Sequence, residues 1–150
     1  MKQSFKDLEI ILDYDFKNAD LLKQSLIHKS FDNLNNNEKL EFLGDRVLGL
    51  IISKKLIDIY PNEKEGIIDK KFANLVNKKT CSAIAKKLNI KKFMFLGASH
   101  KILQRSEDKI MGDCLEALIG AIYLDGGLKF AEKFILNFWK TNLENSFLPL

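Results

Sequence analysis

The sequence predicts an all-α protein, a helical bundle formed by one domain over residues 1–150. Three observations carry this. Apolar residues recur at three- and four-residue spacing in nearly every segment. No stretch shows the strict alternation of a half-buried strand. Two prolines and eight glycines are too few for a collagen-like or linker-dominated chain, and 150 residues is a one-domain length.

The elements follow in order. Phe5, Leu8, Ile11 and Leu12 define a first amphipathic helix. Asn18 is placed to cap a second, along which Leu21, Leu22, Ser25 and Leu26 follow at helical intervals. The run Asp32-Asn33-Leu34-Asn35-Asn36-Asn37 reads as a loop whose last asparagines can cap the next helix. That helix is long and strongly apolar, from Glu38 to Tyr60, and Pro61 cannot continue it. A further helical region covers about Gly66 to Leu88, with a break expected near Lys78-Lys79-Thr80. Residues 89–106 are mixed and include a loop. Ser106 can cap a helix whose first turn carries Glu107 and Asp108, which suits the helix dipole. Asp125-Gly126-Gly127 stops that helix after Leu124. The last helix carries Phe130, Phe134, Ile135 and Phe138 on one face. No internal repeat divides the chain, and Phe147-Leu148-Pro149-Leu150 reads equally as a natural end or a linker stub.

Composition narrows the classes. The chain is 46% hydrophobic and 29% charged, as a globular protein is. A net charge of +4 permits a nucleic-acid partner without requiring one. Cys81 and Cys114 are far apart and form no C-x-x-C pair, so a disulfide framework is excluded and a reducing compartment expected. Met1 to Asp7 holds no apolar signal stretch, and runs such as Leu48-Gly49-Leu50-Ile51-Ile52 are too short to span a bilayer. A soluble cytoplasmic protein without a membrane partner is the expectation.

The chemistry concentrates in two apolar helices. At about 100° per residue, Glu38, Glu41 and Asp45 fall within roughly a 60° arc of an otherwise apolar helix. Asp113 and Glu116, at i and i+3, form a second acidic stripe among Cys114, Leu115, Ala117, Leu118 and Ile119. Buried carboxylates are costly unless something positive neutralises them. Glycine follows each stripe one turn later, Gly49 after Asp45 and Gly120 after Glu116. Small residues there would let the two helices cross closely, with Glu41, Asp45, Asp113 and Glu116 converging. Oxygen ligands without thiolate or imidazole suit a hard cation, Mg²⁺ or Mn²⁺. Such a centre can activate water for phosphoryl transfer. The alternative is that these acids are solvated helix faces.

The run Asn37-Glu38-Lys39-Leu40-Glu41-Phe42-Leu43-Gly44-Asp45-Arg46-Val47-Leu48 resembles the signature of the ribonuclease III family, N-E-R-L-E-F-L-G-D-A-V-L, departing at Lys39 and Arg46. Gly112 to Asp125 resembles its second acidic motif, with Gly112 in place of a frequent Ala. Leu26-Ile27-His28-Lys29-Ser30-Phe31 is similar to its L-T-H-[KR]-S-[FY] motif, and Glu65-Gly66 with Leu75-Val76-Asn77 to its E-G…L-V-N segment. The resemblance covers nearly the whole chain.

It implies the all-α ribonuclease III endonuclease fold, working as a homodimer on double-stranded RNA in precursor processing. It implies 5′-phosphate and 3′-hydroxyl products with a short 3′ overhang, and Mg²⁺ as cofactor with Mn²⁺ as substitute. On matching positions Glu41, Asp45, Asp113 and Glu116 are the implied metal ligands, with Asp45 and Glu116 central to catalysis. Glu38 and Glu65 are implied further acids of the cleavage site, and Phe42 an aromatic knob inserted into the partner subunit. Read without the resemblance, Phe42 is a core residue. Asp69, Lys70, Lys71 and Phe72 stand where the family has a Ser and two basic residues, and Gly97 to Arg105 lacks its usual S-G-G-R pattern. The expectation is an endonuclease domain without the family's C-terminal double-stranded-RNA-binding domain.

The lysine pairs Lys54-Lys55, Lys70-Lys71, Lys78-Lys79, Lys86-Lys87 and Lys91-Lys92 are phosphate contacts or ordinary surface. His28 reads as structural, Cys114 as core packing, and Phe134, Phe138 and Trp139 as core or interface. Three other functions remain in view. A non-catalytic RNA-binding relative has no need of the acid quartet. A redox di-metal bundle lacks its E-x-x-H histidines. A purely dimerising module would be indifferent to its lysines.

Overall fold

The computed structural model describes residues 4–98 and 107–147. Among them are eight α-helices: α1 Phe5–Leu12, α2 Ala19–Ser25, α3 Glu38–Ile59, α4 Glu65–Val76, α5 Lys78–Lys87, α6 Glu107–Gly126, α7 Leu128–Phe138 and α8 Lys140–Glu144. Two 3₁₀ turns, Ile90–Phe93 and Asn145–Phe147, accompany them. The only strand-like pairing among these residues is an isolated bridge between Ile27 and Phe95. The chain is all-α, as the spacing of its apolar residues predicts. No helix among the described residues is long and apolar enough to cross a membrane.

Helix α6 is the axis of the bundle. Every residue from Ile110 to Ile122 is buried except Asp113. Helices α2, α3, α5 and α7 surround it, α3 most extensively. Each fully buried Leu or Ile contributes about 1.5–3 kcal/mol relative to an exposed one, so this surround dominates the stability of the domain. Cys114 and Cys81 are free and fully buried, and Cys114 packs as a small core residue. Trp139 is also fully buried, and its indole Nε1–H donates to the Leu75 carbonyl at 2.8 Å.

The helix ends are held as their sequences suggest. The Asn18 side chain accepts from the Asp20 N–H. At the start of α3 it is Asn36, not Asn37, that accepts from the Glu38 N–H, while the Asn37 side chain donates to the Ser25 carbonyl. The break between α4 and α5 falls at Asn77, one residue before the expected Lys78-Lys79-Thr80, because the Asn77 side chain caps α5 by accepting from the Thr80 N–H. Helix α8 is an addition to the expected set. Ser106 and His100 lie outside the described residues, as does most of the 97–105 loop.

At the end of α6, Asp125 accepts from the Tyr14 hydroxyl at 2.6 Å and from the backbone N–H groups of Lys17 and Asn18 at 2.8 Å. This ties α6 to the α1–α2 turn, and the hydrogen bonds to its charged form hold Asp125 below the usual carboxylate range although burial opposes them. The motif around His28 is a structural turn. His28 Nδ1 accepts from the Ser30 N–H, and the Ser30 hydroxyl lies 2.7 Å from Nδ1 while accepting from the Gly97 N–H.

Helices α3 and α6 meet backbone to backbone. A methyl group on Gly44 would lie 1.6 Å from the Glu116 carbonyl oxygen, and one on Gly120 would lie 2.2 Å from the Leu40 carbonyl oxygen. The crossing glycines are thus Gly44 and Gly120. Gly49, expected in this role, instead meets the Phe72 ring at an ordinary 3.5 Å. The reason is angular: Gly44 stands beside the acidic stripe on the face toward α6, whereas Gly49 has turned toward α4. Alanine at Gly44 or Gly120 is expected to cost more than the ~1–3 kcal/mol typical of overpacking. Gly66→Ala, in open space within α4, should be neutral or gain up to about 1 kcal/mol. Urea unfolding of the three variants checks this ordering.

Candidate metal centre

The glycine contact places acids where two apolar helices touch. Glu41 follows Leu40 on α3, and Glu116 lies on α6 at the point where Gly44 presses against it. Asp113 sits one turn earlier on α6. One carboxylate oxygen each from Glu41, Asp113 and Glu116 lie within 4.8 Å of one another. The Glu116 side chain is 1% exposed, whereas Asp113 and Glu41 are partly open to solvent.

Asp45 stands at the rim. Its side chain is 48% exposed and 3.4 Å from Arg46 Nη1, outside the three-oxygen cluster but near enough to act on Glu116. Glu38 is exposed at the start of α3 and shares a pocket of about 220 Å³ with Asp113, His28, Lys29 and Lys109. Glu65 is exposed at the start of α4 and belongs to no potential metal cluster among the described residues. Phe42 is not a core residue of this chain: it is 59% exposed, and the Arg46 guanidinium lies 3.9 Å from its ring centroid.

The sequence reading missed Lys78. Its Nζ lies 3.1 Å from Glu41 Oε1 and 2.7 Å from Asp113 Oδ1, and it donates to Glu116 Oε1. Burial works against its charge, but the three carboxylates overcome this and hold the ammonium well above its ordinary pKa. One signal was available. Lys78 opens a helix with no acid in its first turn, where the dipole disfavours a cation, so tertiary charges had to hold it. Lysines from the other pairs are engaged elsewhere. Lys71 is buried and donates to the Ser146 carbonyl, Lys86 and Lys91 pair with the acids opening α6, and Lys54 pairs with Asp58.

The donor set fits a hard divalent cation. All three converging ligand atoms are carboxylate oxygens. Among the described residues Glu116 Oε2 is buried with no hydrogen-bond partner, while Asp113 Oδ1 is met by the Lys78 ammonium at 2.7 Å. A buried carboxylate oxygen left unpartnered, as Glu116 Oε2 is, calls for a cation or a proton. Burial, and next the neighbouring Asp45, push the Glu116 carboxyl up to about 8, opposed by Lys78. The nearby Cys81 thiol is pushed up to about 12, by burial first and then by the charge of Glu116, so it remains a protonated thiol.

Fold and centre together define an all-helical domain with a carboxylate cluster at a helix crossing that could hold a cation. Residues 18–143 match the Ribonuclease-III-like family model. The chain is 57% identical over 147 residues to Ribonuclease 3 of Pelagibacter ubique, covering 97% of this chain and 66% of that protein. It is 40% identical to Ribonuclease 3 of Bartonella bacilliformis, covering 92% of this chain and 60% of that one. The nuclease domain of ribonuclease III from Campylobacter jejuni superimposes with a TM-score of 0.89 at 39% identity, over 94% of this chain and 99% of that domain. The chain belongs to the ribonuclease III family. It spans about two thirds or less of the length of these curated relatives.

The raised Glu116 pKa sets a pH dependence. Its folded-state value lies above its ordinary 4.5, so the protonated form favours the fold. That contribution is complete below about pH 4.5 and is lost as pH rises through 8. With chelator present, the melting temperature should fall between pH 5 and 9, and Glu116→Gln should remove most of that slope. Thermal scans across this range check it.

Proposed function

We propose that the chain is the nuclease domain of a divalent-metal-dependent endoribonuclease that hydrolyses phosphodiester bonds in double-stranded RNA. The observation that carries this is the convergence of Glu41, Asp113 and Glu116 at the α3–α6 crossing, on the positions that match the family's acidic motifs. Glu41, Asp113 and Glu116 would hold Mg²⁺ or Mn²⁺, with Asp45 completing the set from the rim. The bound ion would supply an activated water and offset the charge of the phosphoryl group under attack.

The chain's own residues have separable tasks. Buried Glu116 is fixed in place by the helix crossing, so it orients what it binds. Partly exposed Glu41, Asp113 and Asp45 face the side from which RNA arrives. The pocket beside Asp113 carries Glu38 together with Lys29 and Lys109, so cationic groups adjoin the acids where a phosphate backbone would lie. The acids themselves repel RNA, so duplex affinity at the centre should depend on the divalent ion. Glu65 as a further site acid rests on the family resemblance alone.

The assembly we propose is a homodimer. Phe42, Leu50 and Ile57 are each more than half exposed and fall within about an 80° arc of α3, an apolar stripe suited to a partner subunit. The products would carry 5′-phosphate and 3′-hydroxyl ends with a short 3′ overhang, as in processing of ribosomal and messenger precursors in the cytoplasm.

Two measurements test this reading. A perfectly paired RNA duplex incubated with Mg²⁺ at low salt should be cut, and chelator or Glu116→Gln should abolish cutting while Glu116→Gln still binds. Failure of both proteins to cut, with duplex binding retained, would replace the nuclease reading with an RNA-binding one. Phe42→Glu should convert dimer to monomer by light scattering. An unchanged mass would refute the α3 interface.

A further inference from the structure

Among the described residues, the three converging oxygens of the acidic centre are served by one side chain. Lys109 takes the outer oxygen of Asp113, Oδ2, at 2.8 Å, and Arg46 takes Asp45. Of the described residues, Lys78 alone faces Glu41 Oε1, Asp113 Oδ1 and Glu116 Oε1. Its stem is given room to do so. A methyl group on Gly112 would lie 3.3 Å from Lys78 Cδ and 3.1 Å from the Lys78 carbonyl oxygen, so the lysine runs along the bare backbone of α6. Its side chain is 38% exposed, which leaves a way out toward solvent.

We infer that Lys78 is a built-in counter-cation of the centre, its ammonium occupying the position among Glu41, Asp113 and Glu116 until a divalent ion displaces it. This rests on the metal-site reading given above. The argument is one of volume and charge. A divalent ion sits about 2.1 Å from its carboxylate oxygens, and three oxygens within 4.8 Å of one another enclose a single cation position. The ammonium, in contact with all three, lies in that position, so ion and ammonium exclude each other. The exchange replaces one charge by two and leaves the carboxylates where the helix crossing holds them. The lysine is the flexible partner, a four-carbon stem on the first residue of α5, whereas Glu116 is locked against Gly44. Metal affinity in this protein is therefore set by competition, and the displaced ammonium stays tethered beside the bound ion.

Two measurements on the 150-residue chain test this, neither of which reads activity. In the first, lysines are acylated competitively and quantified by mass spectrometry, in chelator and in saturating Mg²⁺. Lys78 should react slowly in chelator and several-fold faster with Mg²⁺, while Lys54, paired with Asp58 away from the centre, stays constant. In the second, Mn²⁺ is titrated calorimetrically into wild type, Lys78→Met and Glu116→Gln. Lys78→Met removes the competitor and should bind Mn²⁺ tighter by about tenfold or more, the scale of losing a partly buried charge pair. Glu116→Gln should lose the site. Mn²⁺ binding with unchanged Lys78 labelling, or with equal or weaker affinity in Lys78→Met, overturns the counter-cation while leaving the metal site standing. Absence of Mn²⁺ binding in both wild type and Lys78→Met overturns both. Should Lys78→Met fail to fold, the labelling of wild type decides alone.

Discussion

The structure depends on the direct backbone contact between α3 and α6 at Gly44 and Gly120. No side chain intervenes there, so the helices approach closer than ordinary ridge-into-groove packing allows. That approach leaves no freedom in register. A shift along either helix would drive Leu40 or Glu116 backbone into a Cβ. The acids next to the contact inherit this rigidity: Glu41 and Asp45 flank Gly44, and Glu116 is the residue that Gly44 touches. Leu40 fits on the opposite side against Ala117 and Ala121, whose small side chains keep the contact tight.

This close contact has an electrostatic consequence. Carboxylates brought to the heart of a helix crossing cannot all remain charged and unpaired. The molecule answers with Lys78 on the inside and with Lys109 and Arg46 on the outside. It leaves Glu116 with an unsatisfied buried oxygen. A cluster built this way holds carboxylate groups at a cost that a proton on Glu116 or a cation among the oxygens would relieve. The same domain shows the contrasting case at Asp125, where a hydroxyl and two backbone N–H groups satisfy a carboxylate completely and make it a structural anchor.

Legibility followed the range of the interaction. The long helices were readable because apolar periodicity is local and dense, and Pro61 and the Asp125-Gly126-Gly127 stop act through the chain itself. The α4–α5 break falls beside the Lys78-Lys79-Thr80 run that suggests it, but its exact residue, Asn77, reveals itself as a cap only through the hydrogen bond it makes. Spacing alone offers Gly49 as a crossing glycine, since it marks the candidates without saying which neighbouring helix each one faces. The acidic stripes were legible as stripes. That three of the acids converge while Asp45 stays at the rim was not, since this depends on the crossing geometry. Lys78 reads in the sequence as one member of a lysine pair, phosphate contact or ordinary surface, because its acidic partners lie 35 or more positions away in the chain.

The sequence by itself determined that this is an all-helical protein with carboxylates on its most apolar helices, and its motifs marked the family to which it belongs. These follow from periodicity, residue type and local order. Only the tertiary structure decided which glycines touch, which oxygens meet, that Phe42 is exposed rather than buried, and that a lysine stands among the acids. Each of these is a relation between segments distant in the chain. Their distances are set by how closely two backbones can pack, a quantity that no local pattern encodes.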